Sequence, residues 1–260
     1  MSIQAVDPER ALGDLHHRQI LSVRDLTVRF GGLRALDRVT LDVMPGRVLG
    51  IIGPNGAGKS TLFAAISGLL APTSGRVIFE NKDITGLAPH EINRIGIGRK
   101  FQVPNVFDHL TVRRNLAVAL RGKLLLPALL ATPAHSGAEI DEVLVRLQLD
   151  AKAEHDAGTL SHGERQWLEI GMLLVNGAKV LLLDEPTAGM TMHETKRTEQ
   201  LLRGLALRHT SVVIEHDVRF IREIAERVVV MHMGKILIDG SIDEVVADPI
   251  VRDVYLGRPT

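Results

Sequence analysis

The chain has 260 residues, 45% of them apolar and 24% charged, enough to bury one large core or a core with a smaller attached subdomain. Lysine plus arginine and aspartate plus glutamate number 31 each, so no global field draws the chain to nucleic acid or anionic lipid. It contains no cysteine, which excludes a disulfide framework, and with 11 histidines scattered along the sequence a zinc site is not expected.

Residues 1–19 carry Asp7, Glu9, Arg10, Asp14 and Arg18 without an apolar block, so they lack the middle region of a secretory signal and are expected to form a flexible N-terminal extension. Residues 21–30 alternate apolar and polar, and residues 35–43 do so again after Gly31-Gly32, the pattern of two antiparallel strands joined by a turn. Residues 47–52 form a short apolar strand that runs into a glycine-rich loop, and a helical stretch follows over 60–70. A strand-like segment spans 95–101. Periodic helical segments then occupy 111–121, 138–147 and 161–175, interrupted by Pro127 and Pro133, which predicts an inserted helical subdomain over about 103–178. The longest apolar run, 124–131, contains Pro127 and is far short of the roughly 20 residues needed to cross a bilayer. Residues 180–183 and 212–214 are further buried strands, 228–233 and 235–239 read as a hairpin turning near Gly234, and Ser241 and Glu244 have capping-box spacing. Strands alternating with helices behind an N-terminal antiparallel β layer predict an α/β fold with a largely parallel core.

Gly53-Pro54-Asn55-Gly56-Ala57-Gly58-Lys59-Ser60-Thr61 satisfies G-x-x-x-x-G-K-[ST] between a strand and a helix, the context that motif needs. Its glycines let successive backbone N–H groups turn inward around phosphate oxygens, and the helix N-terminus adds the positive end of its dipole. Lys59 then reaches the β- and γ-phosphates, the Ser60 hydroxyl ligates Mg²⁺, and Thr61 adds a phosphate contact. The strand over 180–183 delivers Asp184 and Glu185 at its carboxyl end, where α/β sheets place ligands, with Asp184 holding Mg²⁺ through water and Glu185 acting on the attacking water. Ser161-His162-Gly163-Glu164 opens a helix and forms a second anion-binding end; taken alone it reads as a helix cap.

In carrying these residues together the chain resembles the ABC transporter ATP-binding subunits. The order phosphate loop, Gln102, Leu160-Ser161-His162-Gly163-Glu164-Arg165-Gln166, Asp184-Glu185 and His216 matches that family over about residues 21–257. The resemblance implies an ABC ATPase domain over 20–260 with a P-loop NTPase (RecA-like) core. It implies that Ser161, Gly163 and Glu164 of the family signature meet the γ-phosphate of ATP held by a second cassette, so that two cassettes face head to tail. It further implies that Gln102 reads the γ-phosphate, the metal and the water, that His216 organises the nucleophile, and that Phe30 stacks on adenine, although a core strand phenylalanine is the other reading of that residue. Ala188-Gly189-Met190-Thr191 matches the loop that communicates across the dimer, with Met190 and Thr191 departing from the usual residues.

His162 replaces the usual second glycine of the signature. Together with the stretch 166–172 around Trp167, the Gly189-Met190-Thr191 loop and the tail 254–258, it resembles the urea-uptake branch of the importers of amides and branched-chain amino acids. That likeness implies transmembrane permease subunits, an extracytoplasmic solute-binding protein, and a peripheral location on the cytoplasmic face of the inner membrane. A lipopolysaccharide-export ATPase is a near relative by architecture, against which His162 and Met190-Thr191 argue. A non-transport ABC ATPase would carry two cassettes or a long coiled-coil insertion, and an unrelated P-loop kinase or GTPase would not need Gln102, Ser161, Glu185 and His216 in this order.

Overall fold

A computed structural model describes residues 19–100, 106–122 and 136–251. The expectations for residues 1–18, Gln102, the apolar run at 124–131, the two proline breaks and the tail 254–258 lie outside the described residues.

The chain opens with β1 (Leu21–Phe30) and β2 (Leu33–Val43), antiparallel as their alternation predicts, with the pairing Phe30 to Leu33 closing the turn at Gly31-Gly32. Asp25, at φ 47°, shifts the register and interrupts the alternation of β1. After β3 (Val48–Ile52) and α1 (Lys59–Ile66), the strands β4 (Ser74–Phe79) and β5 (Lys82–Asp83) join this layer, giving an antiparallel sheet in the order β2-β1-β4-β5.

A second sheet forms the core. Helix α2 (Pro89–Ile95) leads into β6 (Ile97–Lys100), and three further helices intervene, α3 (Val112–Gly122), α4 (Ser136–Leu147) and α5 (His162–Val175). The chain then alternates β7 (Val180–Asp184), α6 (Met192–Leu205), β8 (Thr210–Ile214), α7 (Val218–Ile224) and β9 (Arg227–His232) before β10 (Lys235–Gly240) and α8 (Ile242–Ala247). The six-stranded order is β10-β9-β3-β8-β7-β6, with only β10 antiparallel to its neighbour. Parallel strands are covered on both faces and therefore read as continuous apolar runs. Each run divides between two cores according to the period of two: Val48, Ile52, Leu181 and Leu183 face the helices, whereas Leu49, Ile51, Val180 and Leu182 face the antiparallel layer.

Helix α1 stops at Ile66, four residues short of the sequence-based expectation. Ser67 Oγ bonds the Phe63 carbonyl at 2.7 Å and Gly68 turns to φ 74°, where a Cβ would lie 2.3 Å from the Leu87 carbonyl oxygen. The strand expected over 95–101 starts only at Ile97 of β6, because Ile95 belongs to α2 and Gly96, at φ 111°, caps that helix. The β9–β10 hairpin turns on Met233 and Gly234, both at positive φ, as expected.

Trp167 ties the inserted helices to the core. It is 1% exposed, donates its Nε1–H to Thr198 Oγ1 of α6 at 2.9 Å, and carries the Arg197 guanidinium 3.9 Å from its ring centre. The same guanidinium donates to the Leu147 and Gln148 carbonyls at the end of α4. Trp167→Phe keeps an aromatic ring but deletes the donor to a buried hydroxyl, and a loss of about 1–2 kcal/mol of stability is expected. Equilibrium unfolding in urea checks it; an unchanged midpoint and slope would show that the indole contributes packing alone.

Candidate active site

Parallel pairing brings three strand ends to one edge of the core sheet. Ile51 of β3 is in register with Ile214 of β8, which is in register with Asp184 of β7. The glycine-rich loop after β3, the Asp184-Glu185 pair and the Glu215-His216 segment after β8 therefore emerge side by side, at the carboxyl edge where α/β sheets bind ligands.

The loop is held from below by close backbone approaches that only glycine permits. A Cβ on Gly53 (φ 152°) would lie 2.2 Å from the Met231 carbonyl oxygen, and one on Gly58 (φ 103°) 2.6 Å from that of Ala35. Ala57 is buried beneath the loop and accepts from the Gly234 N–H at 3.0 Å, while Pro54 is half-buried and Asn55, Gly56 and Ser60 are exposed along the rim. Helix α1 starts at Lys59 with Gly58 as its N-cap, no side chain capping it and no acidic residue in its first turn, so its free N–H groups face an anion without competition. Lys59 is 6% exposed and its ammonium donates to the Gly53 and Pro54 carbonyls at 2.7 and 3.0 Å. Burial pushes its pKa below the ordinary lysine range, and the charges of Glu185 and Asp184 oppose that shift.

Asp184 is largely buried, and burial raises its carboxyl above the usual range even though the Arg99 guanidinium lies 3.7 Å away. Glu185 follows in the left-handed region at φ 46°, with its N–H bonded to the Ile214 carbonyl at 2.9 Å. A glutamate in that region is strained, and such strain is stored where a side chain must be aimed. Its Oε1 lies 2.9 Å from His216 Nε2. Behind them the buried carboxylate of Glu215 accepts from the Thr187 N–H and hydroxyl at 3.0 and 2.5 Å and from the His216 N–H at 3.1 Å, which fixes both loops relative to each other.

Ser161 is the N-cap of α5, accepting from the Glu164 N–H, while the Glu164 carboxylate accepts from the Ser161 N–H at 3.0 Å and from Lys152 Nζ at 2.7 and 2.8 Å. The carboxylate of Glu164 thus faces back onto its own cap. His162 turns its ring onto the loop after β7, with Nε2 3.0 Å from the Ala188 carbonyl oxygen.

The ABC transporter family model matches residues 36–188. The chain belongs to the ABC transporter family. The branched-chain amino acid transport ATP-binding protein LivG of Escherichia coli K12 is 36% identical over 250 residues, covering 92% of this chain and 98% of that protein. The lipopolysaccharide export ATP-binding protein LptB of Acidithiobacillus ferridurans is 37% identical over 220 residues, covering 84% and 89%. Among solved structures, the ADP conformation of MJ1267, an ATP-binding cassette of an ABC transporter, superposes with a TM-score of 0.82 at 33% identity over 93% of this chain and all of that one. The dimeric MJ0796 cassette does so with a TM-score of 0.72 at 28% identity over 85% and 98%. This cassette is accordingly an ATP-binding subunit whose hydrolysis of ATP is coupled to transport.

Of the residues the sequence singles out, the cassette brings together Gly53 to Thr61, Asp184, Glu185 and His216. Phe30 is half-exposed at the end of β1, free of the core that its other reading would place it in. Gln102 lies outside the described residues. Three contributors carry no local signal. Arg99 faces Asp184, Glu215 braces the Thr187 loop, and the fully buried Lys100 pairs with Glu169 of α5 at 4.0 Å, joining the strand before Gln102 to the signature helix. Two of the departures, His162 and Met190, lie in one patch with Trp167. Met190 Sδ is 3.3 Å from the same Thr198 hydroxyl that accepts from the indole, and His162 spans to Ala188.

Proposed function

We propose that the cassette powers an importer of urea or related small amides, with branched-chain amino acids as the second reading, paired with a second cassette on transmembrane permease subunits that receive solute from an extracytoplasmic binding protein. It works as a peripheral subunit on the cytoplasmic face of the inner membrane; among the described residues no helix is long and apolar enough to cross a bilayer. The observation that carries the ATPase chemistry is the 2.9 Å contact between Glu185 Oε1 and His216 Nε2 at the sheet edge that also holds the phosphate loop. The loop N–H groups and Lys59 bind the β- and γ-phosphates, Glu185 takes the proton from the attacking water, and His216 orients Glu185 and touches the γ-phosphate.

The residues fit a magnesium ion. Ser60 offers an exposed hydroxyl at the first turn of α1, and Asp184 is a carboxylate whose burial outweighs the positive charge around it. Two protein oxygens suffice, because Mg²⁺ keeps several waters and binds substrate phosphates. When bound, it supplies neutralisation of the phosphate charge; Gln102 completes that side. Ser161 and Gly163 of one cassette face the γ-phosphate held by the other, Phe30 stacks on adenine, and the helices between β6 and β7 carry the docking surface for the permease.

LivG supports the amino acid side of this branch. Urea rests on His162, Trp167 and Met190-Thr191, and no atom of the cassette touches the solute. Uptake of labelled urea and leucine by cells lacking the gene tests the assignment, with loss of urea uptake and retained leucine uptake expected. Lost leucine uptake beside unaltered urea uptake would overturn urea alone. Loss of neither would overturn both solute assignments.

A further inference from the structure

The signature end of α5 is filled by a side chain of the same chain. Ser161 Oγ donates to Glu194 Oε1 at 2.8 Å, and the nearby Gly163 N–H helps to hold that carboxyl below its usual range. A Cβ on Gly163 would sit 2.7 Å from Glu194 Oε1, so the carboxylate is seated directly against the helix end. Its other oxygen, Oε2, accepts from the Thr191 N–H and hydroxyl at 3.0 and 2.9 Å and completes the capping box of α6. Capping α6 needs Oε2 alone. The reach of Oε1 across to α5 is additional, and it gives one carboxylate to two helix N-termini.

The donors that Glu194 occupies are the ones an incoming phosphate would use, since a carboxylate and a phosphoryl group are acceptors of the same class at a helix N-terminus. Two anions cannot share them. Hydrogen bonds from Thr191 and from Ser161 keep the carboxyl below its usual range, so it stays charged at neutral pH. The 3.0 Å contact of His162 with the Ala188 carbonyl clamps the signature end to the same loop that leads into Glu194.

We propose that Glu194 holds the signature seat in the free cassette as an internal stand-in for the γ-phosphate, and that ATP-driven dimerisation must expel it. This rests on the reading that Ser161 and Gly163 meet the partner's γ-phosphate. It makes Glu194 a positioning residue that keeps Ser161 and Gly163 aimed while opposing dimerisation until ATP is present in the facing site.

The test uses the full chain carrying Glu185→Gln to stop turnover, with ATP-dependent dimerisation followed by sedimentation at several protein concentrations. Glu194→Gln keeps the shape and the Thr191 contact but removes the charge, and the protein concentration at half-dimer is expected to fall about 10-fold or more, because a hydrogen bond to a charged group outweighs a neutral one by that order. Glu194→Asp keeps an acid near Thr191 but is too short to fill the seat, and should shift dimerisation in the same direction. ADP should produce no dimer in any variant. A half-dimer concentration unchanged or raised in both variants, with unfolding midpoints retained, overturns the proposal. Ser161→Ala in the same background separates the two levels. If it weakens the ATP dimer while the Glu194 variants do not strengthen it, the seat-holder fails and the cross-subunit reading stands; if it leaves the dimer unaltered, the cross-subunit reading fails and the proposal with it.

Discussion

Lys59→Ala is expected to lower ATP affinity on the order of 10²-fold or more, since each hydrogen bond from a charged donor is worth about 1.5–3 kcal/mol and an ammonium directed at two phosphates makes at least two of them. Its present partners show how the loop is poised. The ammonium is buried against the Gly53 and Pro54 carbonyls inside the loop, so it needs only to exchange two carbonyl acceptors for phosphate oxygens. Burial penalises that charge, and Glu185 and Asp184 offset the penalty in part. A strongly anionic ligand completes the compensation, and the released energy appears as affinity. Alanine removes the charge and leaves the two carbonyls facing one another across the cradle. Titration calorimetry with ATP measures the loss, and circular dichroism confirms that α1 survives, because alanine is a better helix former than lysine. Unchanged affinity in a folded variant would remove Lys59 from the phosphate site.

The parts of this cassette that sequence discloses are those whose cause is local. The run at 180–183 is apolar because both faces of β7 are covered, and the phosphate loop is legible because all its residues are contiguous. Strands β4 and β5 pass unnoticed for the opposite reason: Ser74–Phe79 mixes Gly75, Arg76 and exposed positions, and its pairing with β1 is decided by residues some fifty positions earlier. Helix α1 is overrun because Ser67 and Gly68 end it through a back-bond and a left-handed turn rather than through proline. At the site, Asp184, Glu185 and His216 are readable from their place after apolar strands, whereas Arg99 opposite Asp184, Lys100 opposite Glu169 and Glu194 of α6 against Ser161 are products of packing between distant segments. His162 stands out in sequence as the replacement of the usual second glycine of the signature, but that its ring lies against the Ala188 carbonyl is set by packing between distant segments.

Glu185→Gln is expected to keep ATP binding within about twofold and to lower turnover about 10²- to 10⁴-fold, the usual cost of losing a general base. Glu185 sits at φ 46°, pinned by its N–H to the Ile214 carbonyl, and the side chain leaves the end of β7 toward His216. Glutamine has the same length and branching, so the strained turn and the 2.9 Å approach to His216 can persist with the amide oxygen in place of Oε1. The Lys59 ammonium keeps its place against the Gly53 and Pro54 carbonyls in the variant, which leaves phosphate binding largely intact. What disappears is the capacity to accept a proton from water, since an amide oxygen is not basic at neutral pH. Geometry and electrostatics thereby come apart in one substitution: binding reports the loop, turnover reports the carboxylate. Measuring both in the cassette reconstituted with its permease decides the role, and turnover within twofold of wild type would reassign the base to another group at the same edge.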